Sequence, residues 1–145
     1  MIFGSWIKHL VQNGNTVVYP RYQKNLILPS ADHFTKNAGT ALERALKSLY
    51  SSEIIDPEHT ELYLFGHSFG GVIISNLMAD LETYGLPKPK GALVAEGGTG
   101  PFTGAMLDDY SSVDRSIPMM VVVGDRDLTV GDYFGKKLFS ELQVD

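Results

Sequence analysis

The sequence predicts an α/β fold in which a parallel sheet carries helices on both faces. Three short apolar runs, at residues 62–65, 91–95 and 119–123, have the length and continuous hydrophobicity of buried parallel strands. They alternate with stretches whose apolar residues recur at helical spacing, as in successive strand–helix units. With 145 residues, 43% of them hydrophobic, the chain suffices for one domain over residues 1–145 and leaves no room for a second.

The amino-terminal third of the chain predicts two helices and one strand. Residues 3–13 carry apolar side chains at helical spacing, and the following Gly14 is typical of a helix stop. Residues 16–19 are largely β-branched and are followed by Pro20, which predicts a short strand. An apolar stripe over residues 32–51 predicts a long helix.

The rest of the chain alternates strand and helix. The predicted elements are a strand at 62–65, a helix from the following turn to about residue 84, a strand at 91–95, an irregular loop at 96–117, a strand at 119–123 and a helix at 130–142. A loop of this length in a small domain is usually functional or mobile.

The turn at residues 66–70, Gly-His-Ser-Phe-Gly, fits the pattern G-x-S-x-G between a strand and a helix. Such a turn holds the Ser68 hydroxyl exposed at the carboxyl edge of the sheet, where it can act as a nucleophile. We expect Gly66 and Gly70 to let the backbones pass closely, and the amide of Phe69 to point where an oxyanion would develop. The alternative interpretation is a glycine-rich turn in which Ser68 caps the helix.

These residues resemble the α/β-hydrolase superfamily, in particular the esterase branch that includes dienelactone-hydrolase-like and chlorophyllase-like proteins. The resemblance rests on residues 6–11, 14–22, 66–71 and 121–127. It implies a partial α/β-hydrolase fold with three α/β/α layers. It also implies a serine hydrolase of carboxylic-ester type that acts through an acyl-enzyme on Ser68 and takes a small-molecule ester, with a thioester or amide as the alternative. Because the sequence has no phosphate loop, no EF-hand and no H-E-x-x-H motif, we expect no cofactor and no metal.

The resemblance also implies the acid of a catalytic triad, which runs in the order serine, acid, histidine. Asp127, in the run Gly-Asp-Arg-Asp at 124–127, stands where the family places the acid that orients the histidine. Glu96, which follows the preceding strand, is the alternative acid. Asp125 and Asp127 also fit a simple turn that caps the last helix, and this interpretation stays open.

The histidine of that triad is absent from the chain, because the histidines at positions 9, 33, 59 and 67 all precede Asp127. His67 adjoins Ser68, but neighbours on a strand point to opposite faces, so we expect it not to serve Ser68 as a base.

The strand and loop that carry the family's second oxyanion donor would precede Met1. We therefore expect a truncated domain that lacks the N-terminal strands and the C-terminal histidine segment, and that is inactive or weak by itself.

Two further expectations concern surfaces. The loop at 97–110, through Met106 and Leu107, is expected to line an apolar substrate pocket. One sheet face has only the helix at 3–13 to cover it, so part of that face should be bare or should self-associate.

The alternative to an enzyme is a non-catalytic α/β binding or structural module that retains the strand–turn–helix.

Composition excludes several other functions. The net charge of −5 and the absence of a Lys/Arg cluster argue against nucleic acid as a partner. Without cysteine there is no disulfide and no thiolate metal site. No stretch is long enough to span a membrane and no signal peptide is recognisable, so we expect a cytoplasmic protein unless a targeting segment lies upstream.

Overall fold

A computed structural model describes residues 3–23, 33–99 and 105–142 of the chain. In order, its elements are α1 (Gly4–Gln12), α2 (Phe34–Ser51), β1 (Tyr63–His67), α3 (Phe69–Ala79), β2 (Gly91–Ala95), β3 (Met119–Val122) and α4 (Tyr133–Leu142). The three strands form one parallel sheet in the order β1-β2-β3. The predicted α/β class, with helices packed on the sheet, is confirmed.

The sheet register fixes which side chains share a face. Leu64 is aligned with Ala92 and, on the third strand, with Met119, and this face packs against α3 and α4. The other face carries Phe65, whose ring lies 4.3 Å from the ring of Trp6 on α1. Helix α1 therefore covers one face of the sheet, and α3 and α4 cover the other.

Helix α3 lies between two hydrophobic cores. Its residues 71–78 are all buried, so the helix is enclosed on every side. The larger core joins α3 to the sheet and to α4 through side chains such as Val72 and Phe134. The smaller core joins it to α2 through Ile73 and Leu77. The helix that follows Ser68 is thus the central packing element of the domain.

Several predicted boundaries are corrected. Residues 16–19 form no strand, because no strand of the described chain pairs with them. Helix α3 ends at Ala79, where Asp80 leaves helical geometry, and turns occupy residues 80–85. Helix α4 begins at Tyr133 and not at 130. The predicted start of α2 at residue 32 lies outside the described residues.

The expectation of a partly bare sheet face is confirmed. Tyr63 on β1 is 64% exposed, and Met120 and Val122 on β3 are 63% and 45% exposed. Their register places all three on the face that α1 covers only near Phe65. An apolar surface of this kind on a folded domain often marks an interaction site.

None of the helices in residues 3–23, 33–99 and 105–142 is both long and apolar enough to cross a membrane.

Candidate active site

Ser68 occupies a strained turn between β1 and α3. Its φ of 53° and ψ of −125° lie in a region that non-glycine residues rarely adopt. Its amide donates to the carbonyl of Ala95 at the end of β2 (3.0 Å), and its carbonyl accepts from Gly98 (3.2 Å) and Gly71 (2.9 Å). The turn is therefore held on both sides by backbone bonds, and the strain is maintained by the neighbouring strand.

The glycines of the motif differ in what they require. A Cβ on Gly66 would lie 2.2 Å from the carbonyl oxygen of Gly70, so this position accepts glycine alone without a shift of the turn. A Cβ on Gly71 would approach Val94 to 2.9 Å. A Cβ on Gly70 would meet nothing within 4 Å. The close approaches thus require glycine at Gly66 and Gly71, and the expectation that they also require it at Gly70 is wrong.

Ser68 opens into a cleft of about 510 Å³ at the carboxyl end of the sheet. Both candidate acids, Asp127 and Glu96, line the same cleft. Its other lining residues are His67, Gly124, Asp125, Arg126, Thr129 and Val130. The three strands of a parallel sheet bring these distant residues together because their carboxyl ends meet at one edge.

Asp127 is engaged by the backbone of its own turn. Its Oδ1 accepts the amide hydrogens of Thr129 (2.7 Å) and Val130 (3.1 Å). This is the geometry of a turn but not of a helix cap, because both amides precede α4, which begins at Tyr133. Gly131, whose φ is +66°, lies between this turn and α4. The bonds involve Oδ1, and they fix the orientation of the carboxylate at the cleft.

Glu96 lies directly beside the serine turn and has an unusual backbone as well. Its φ is 46°, and its amide donates to the carbonyl of Val122 (2.7 Å). Its Oε2 lies 3.4 Å from Nε2 of His67. Sequence reasoning missed this pair because it depends on the sheet register, in which His67 is aligned with Ala95 and Glu96 follows at the adjacent strand end.

The histidines are distributed unevenly. Of the four, all within the described residues, His67 lines the cleft and the others do not. His59 is exposed and lies 2.6 Å from Asp56, an interaction that holds the pKa of the Asp56 carboxyl below its usual range. His9 is on the exposed surface of α1, and His33 precedes α2. These three histidines are thus surface residues.

The ring of His67 is oriented toward the α1 face, with its centroid 5.5 Å from that of Phe3. The side chain of Phe69, the first residue of α3, packs against Phe34 at 5.1 Å between ring centroids. The backbone of Phe69 is thus placed at the helix start, as predicted for an oxyanion donor, while its ring belongs to the smaller core.

The expected apolar wall of the pocket is not found at this cleft. Met106 packs against the larger core, and Leu107 donates its amide hydrogen to the hydroxyl of Tyr110 (3.1 Å). Neither residue lines the cleft with Ser68. Residues 100–104 of the same loop lie outside the described residues. The cleft is instead rich in polar groups, and no group of three potential metal ligands occurs in the described part of the chain.

Comparisons with protein-family models, with curated proteins and with solved structures gave no match to this chain.

Proposed function

We propose that this chain is a serine hydrolase of carboxylic-ester type in which Ser68 is the nucleophile. The observation that carries the proposal is the positive-φ turn at Ser68, which places the serine at the mouth of a cleft shared with Asp127 and Glu96. A turn that keeps this strain in a small domain suits a role in mechanism, because strain of this kind concentrates at functional sites. The resemblance to the α/β-hydrolases supports the same assignment.

The proposed reaction has two steps. The Oγ of Ser68 bonds to the ester carbonyl carbon, the ester C–O bond breaks, and the alcohol leaves with the proton taken from the serine. Water then attacks the acyl carbon, the bond from this carbon to Oγ breaks, and a proton from the water restores the Ser68 hydroxyl as the carboxylic acid leaves. The amide of Phe69 and the positive end of α3 stabilise the oxyanion of each tetrahedral intermediate.

The substrate is a small-molecule ester. A cleft of about 510 Å³ is within the range of small-ligand sites. Nucleic acid does not suit a chain of net charge −5. The proposed hydrolysis uses the Ser68 hydroxyl and water, and this chemistry needs no cofactor.

The proposal gives Asp127 the role of orienting a histidine base. None of the four histidines in this chain is positioned as that base beside Asp127. His67 is the one that lines the cleft, and it pairs with Glu96. We therefore expect weak hydrolysis by these 145 residues. Glu96 remains the alternative acid.

The second candidate function is a non-catalytic α/β module. Two backbone amides already bind the Asp127 carboxylate, which accounts for this residue without catalysis. In such a module the serine turn would be architecture, and the cleft would bind a ligand without converting it. The two functions differ in the reactivity of Ser68.

The test is intact-mass analysis of the chain after treatment with a fluorophosphonate. The proposal predicts a single added mass that is lost in Ser68→Ala. Ser140→Ala is the matched control, because Ser140 is an exposed serine on α4, bonded to the carbonyl of Lys137 and away from the cleft. A folded chain that remains unlabelled would support the non-catalytic module.

A further inference from the structure

Strand β3 forms an edge of the sheet and, within residues 3–23, 33–99 and 105–142, pairs with β2 alone. The amide of Ala92 donates to the carbonyl of Pro118, and the amide of Glu96 to that of Val122. The carbonyls of Pro118 and Val122 thus point toward β2, as do the backbone groups of Met120 between them. In a parallel ladder the residues between them direct N–H and C=O to the opposite side. Met119 and Val121 therefore present backbone donors and acceptors along the edge.

Apolar side chains extend this edge on both faces. On one face a groove of about 250 Å³ separates β3 from α4, lined by Met119, Val121, Leu138, Phe139 and Leu142 among others. On the other face Met120 and Val122 are exposed. The strand itself contains no charge and no proline, the features with which proteins usually protect an edge.

We propose that a second copy of this chain pairs with this edge, β3 against β3 in antiparallel orientation, so that a two-fold axis relates the copies. The two sheets then form one sheet of six strands. In the register centred on Val121, Met119 faces the partner's Val123 and Met120 faces the partner's Val122. Main-chain bonds supply the pairing, and apolar side chains of each copy cover the other on both faces.

The charges at the two ends of β3 favour a second copy over an unrelated strand. Exposed Arg115 precedes the strand, while the neighbouring Asp114 is already bound to Lys88 (2.6 Å). After the strand come Asp125 and Asp127 with one Arg126, a net negative end. A two-fold antiparallel pair places the positive end of each copy beside the negative end of the other, and does so twice.

The opposite edge of the sheet is less suited to pairing. Strand β1 has its central Phe65 covered by the ring of Phe3, which directly precedes α1, and by the ring of Trp6 on α1. It does provide a matched control, because Tyr63 is as exposed as Met120 and lies on the same sheet face. Stacking of the bare faces would involve both residues, whereas pairing at the β3 edge involves Met120 and spares Tyr63.

The test is sedimentation equilibrium of the full chain and four variants. We expect a concentration-dependent dimer that Met120→Lys weakens roughly tenfold or more and Tyr63→Lys leaves unchanged. Arg115→Glu should weaken the dimer, and adding Asp125→Arg should restore it. Far-UV circular dichroism confirms that each variant is folded.

A measurement on the unmodified chain keeps the test independent of variant folding. Hydrogen exchange at the amide of Val121 should slow as protein concentration rises, because this amide becomes bonded in the dimer. A monomer at all concentrations, open-ended aggregates, equal weakening by Tyr63→Lys, no restoration by the charge exchange, or concentration-independent exchange at Val121 would each overturn the proposal.

Discussion

Gly66 and Gly70 approach so closely across the serine turn that a Cβ on Gly66 would lie 2.2 Å from the carbonyl oxygen of Gly70. The contact joins the end of strand β1 to the first turn of helix α3. It therefore sets how sharply the chain reverses at Ser68.

This contact predicts opposite effects of the same substitution at two glycines. Gly66→Ala should lower the free energy of unfolding by about 3 kcal/mol, because backbone atoms, unlike a flexible side chain, cannot move aside. Gly70→Ala should leave it unchanged or raise it by up to about 1 kcal/mol, since alanine favours the helix and its Cβ meets open space. Urea denaturation of both variants measures the difference, and equal losses would contradict the geometry.

The positive φ of Ser68 is strained for a residue other than glycine, so we expect it to lower the free energy of unfolding. Ser68→Gly should raise the free energy of unfolding by roughly 1 kcal/mol, because release of the strain outweighs the extra chain entropy of glycine. Ser68→Ala keeps the strain and is the control for loss of the hydroxyl. Thermal unfolding of the three proteins provides the comparison, and a glycine variant no more stable than the alanine variant would refute the prediction.

Asp127 allows its turn role to be separated from a catalytic one. Asp127→Ala removes the acceptor of two amides and should cost about 1 kcal/mol of stability. Asp127→Asn retains an Oδ1 acceptor and should cost less. If Asp127 also supports Ser68, the asparagine variant will be labelled more slowly by a fluorophosphonate while remaining folded. Equal labelling of Asp127→Asn and the unmodified chain would leave Asp127 with the turn role only.

Tyr110 predicts an alkaline loss of stability. Its buried hydroxyl donates to Oδ1 of Asn76 (2.7 Å) and accepts from the amide of Leu107. Burial raises the pKa of Tyr110 to about 12, above the unfolded value of about 10. A pKa raised by folding gives stability that is complete below pH 10 and is lost as the pH rises toward 12.

The variant Tyr110→Phe tests this assignment. It should lower the free energy of unfolding at pH 7 by about 1–3 kcal/mol, because Asn76 and Leu107 each lose a partner. It should also show a shallower decline than the unmodified chain between pH 10 and 12. Urea denaturation across that range measures both, and identical slopes would show that other groups cause the decline.

The sequence predicted the elements whose structure is decided locally. Strand β2 has the predicted bounds, because Gly91–Ala95 is a short apolar run between breakers. Helix α2 ends at the predicted residue 51. The failure at residues 16–19 has a different cause: β-branched residues favour an extended chain, but a strand also needs a partner, which local sequence does not reveal.

At the candidate site, the sequence predicted which residues lie together but not which contacts they make. Ser68, Glu96 and Asp127 do line one cleft, as strands ending at a common edge should bring about. The close contact at Gly66 and the open space at Gly70 depend on tertiary geometry that the motif does not encode. The pairing of His67 with Glu96 depends on sheet order, which was known only from the structure.

The position of α3 between the two cores has a consequence for how the domain opens. Release of this helix requires the loss of contacts to the sheet and α4 on one side and to α2 on the other. Asn76 strengthens the link, because it bonds Thr35 of α2 (3.0 Å) as well as Tyr110. We therefore expect the serine turn to keep its strained geometry until the contacts of α3 with both cores are lost.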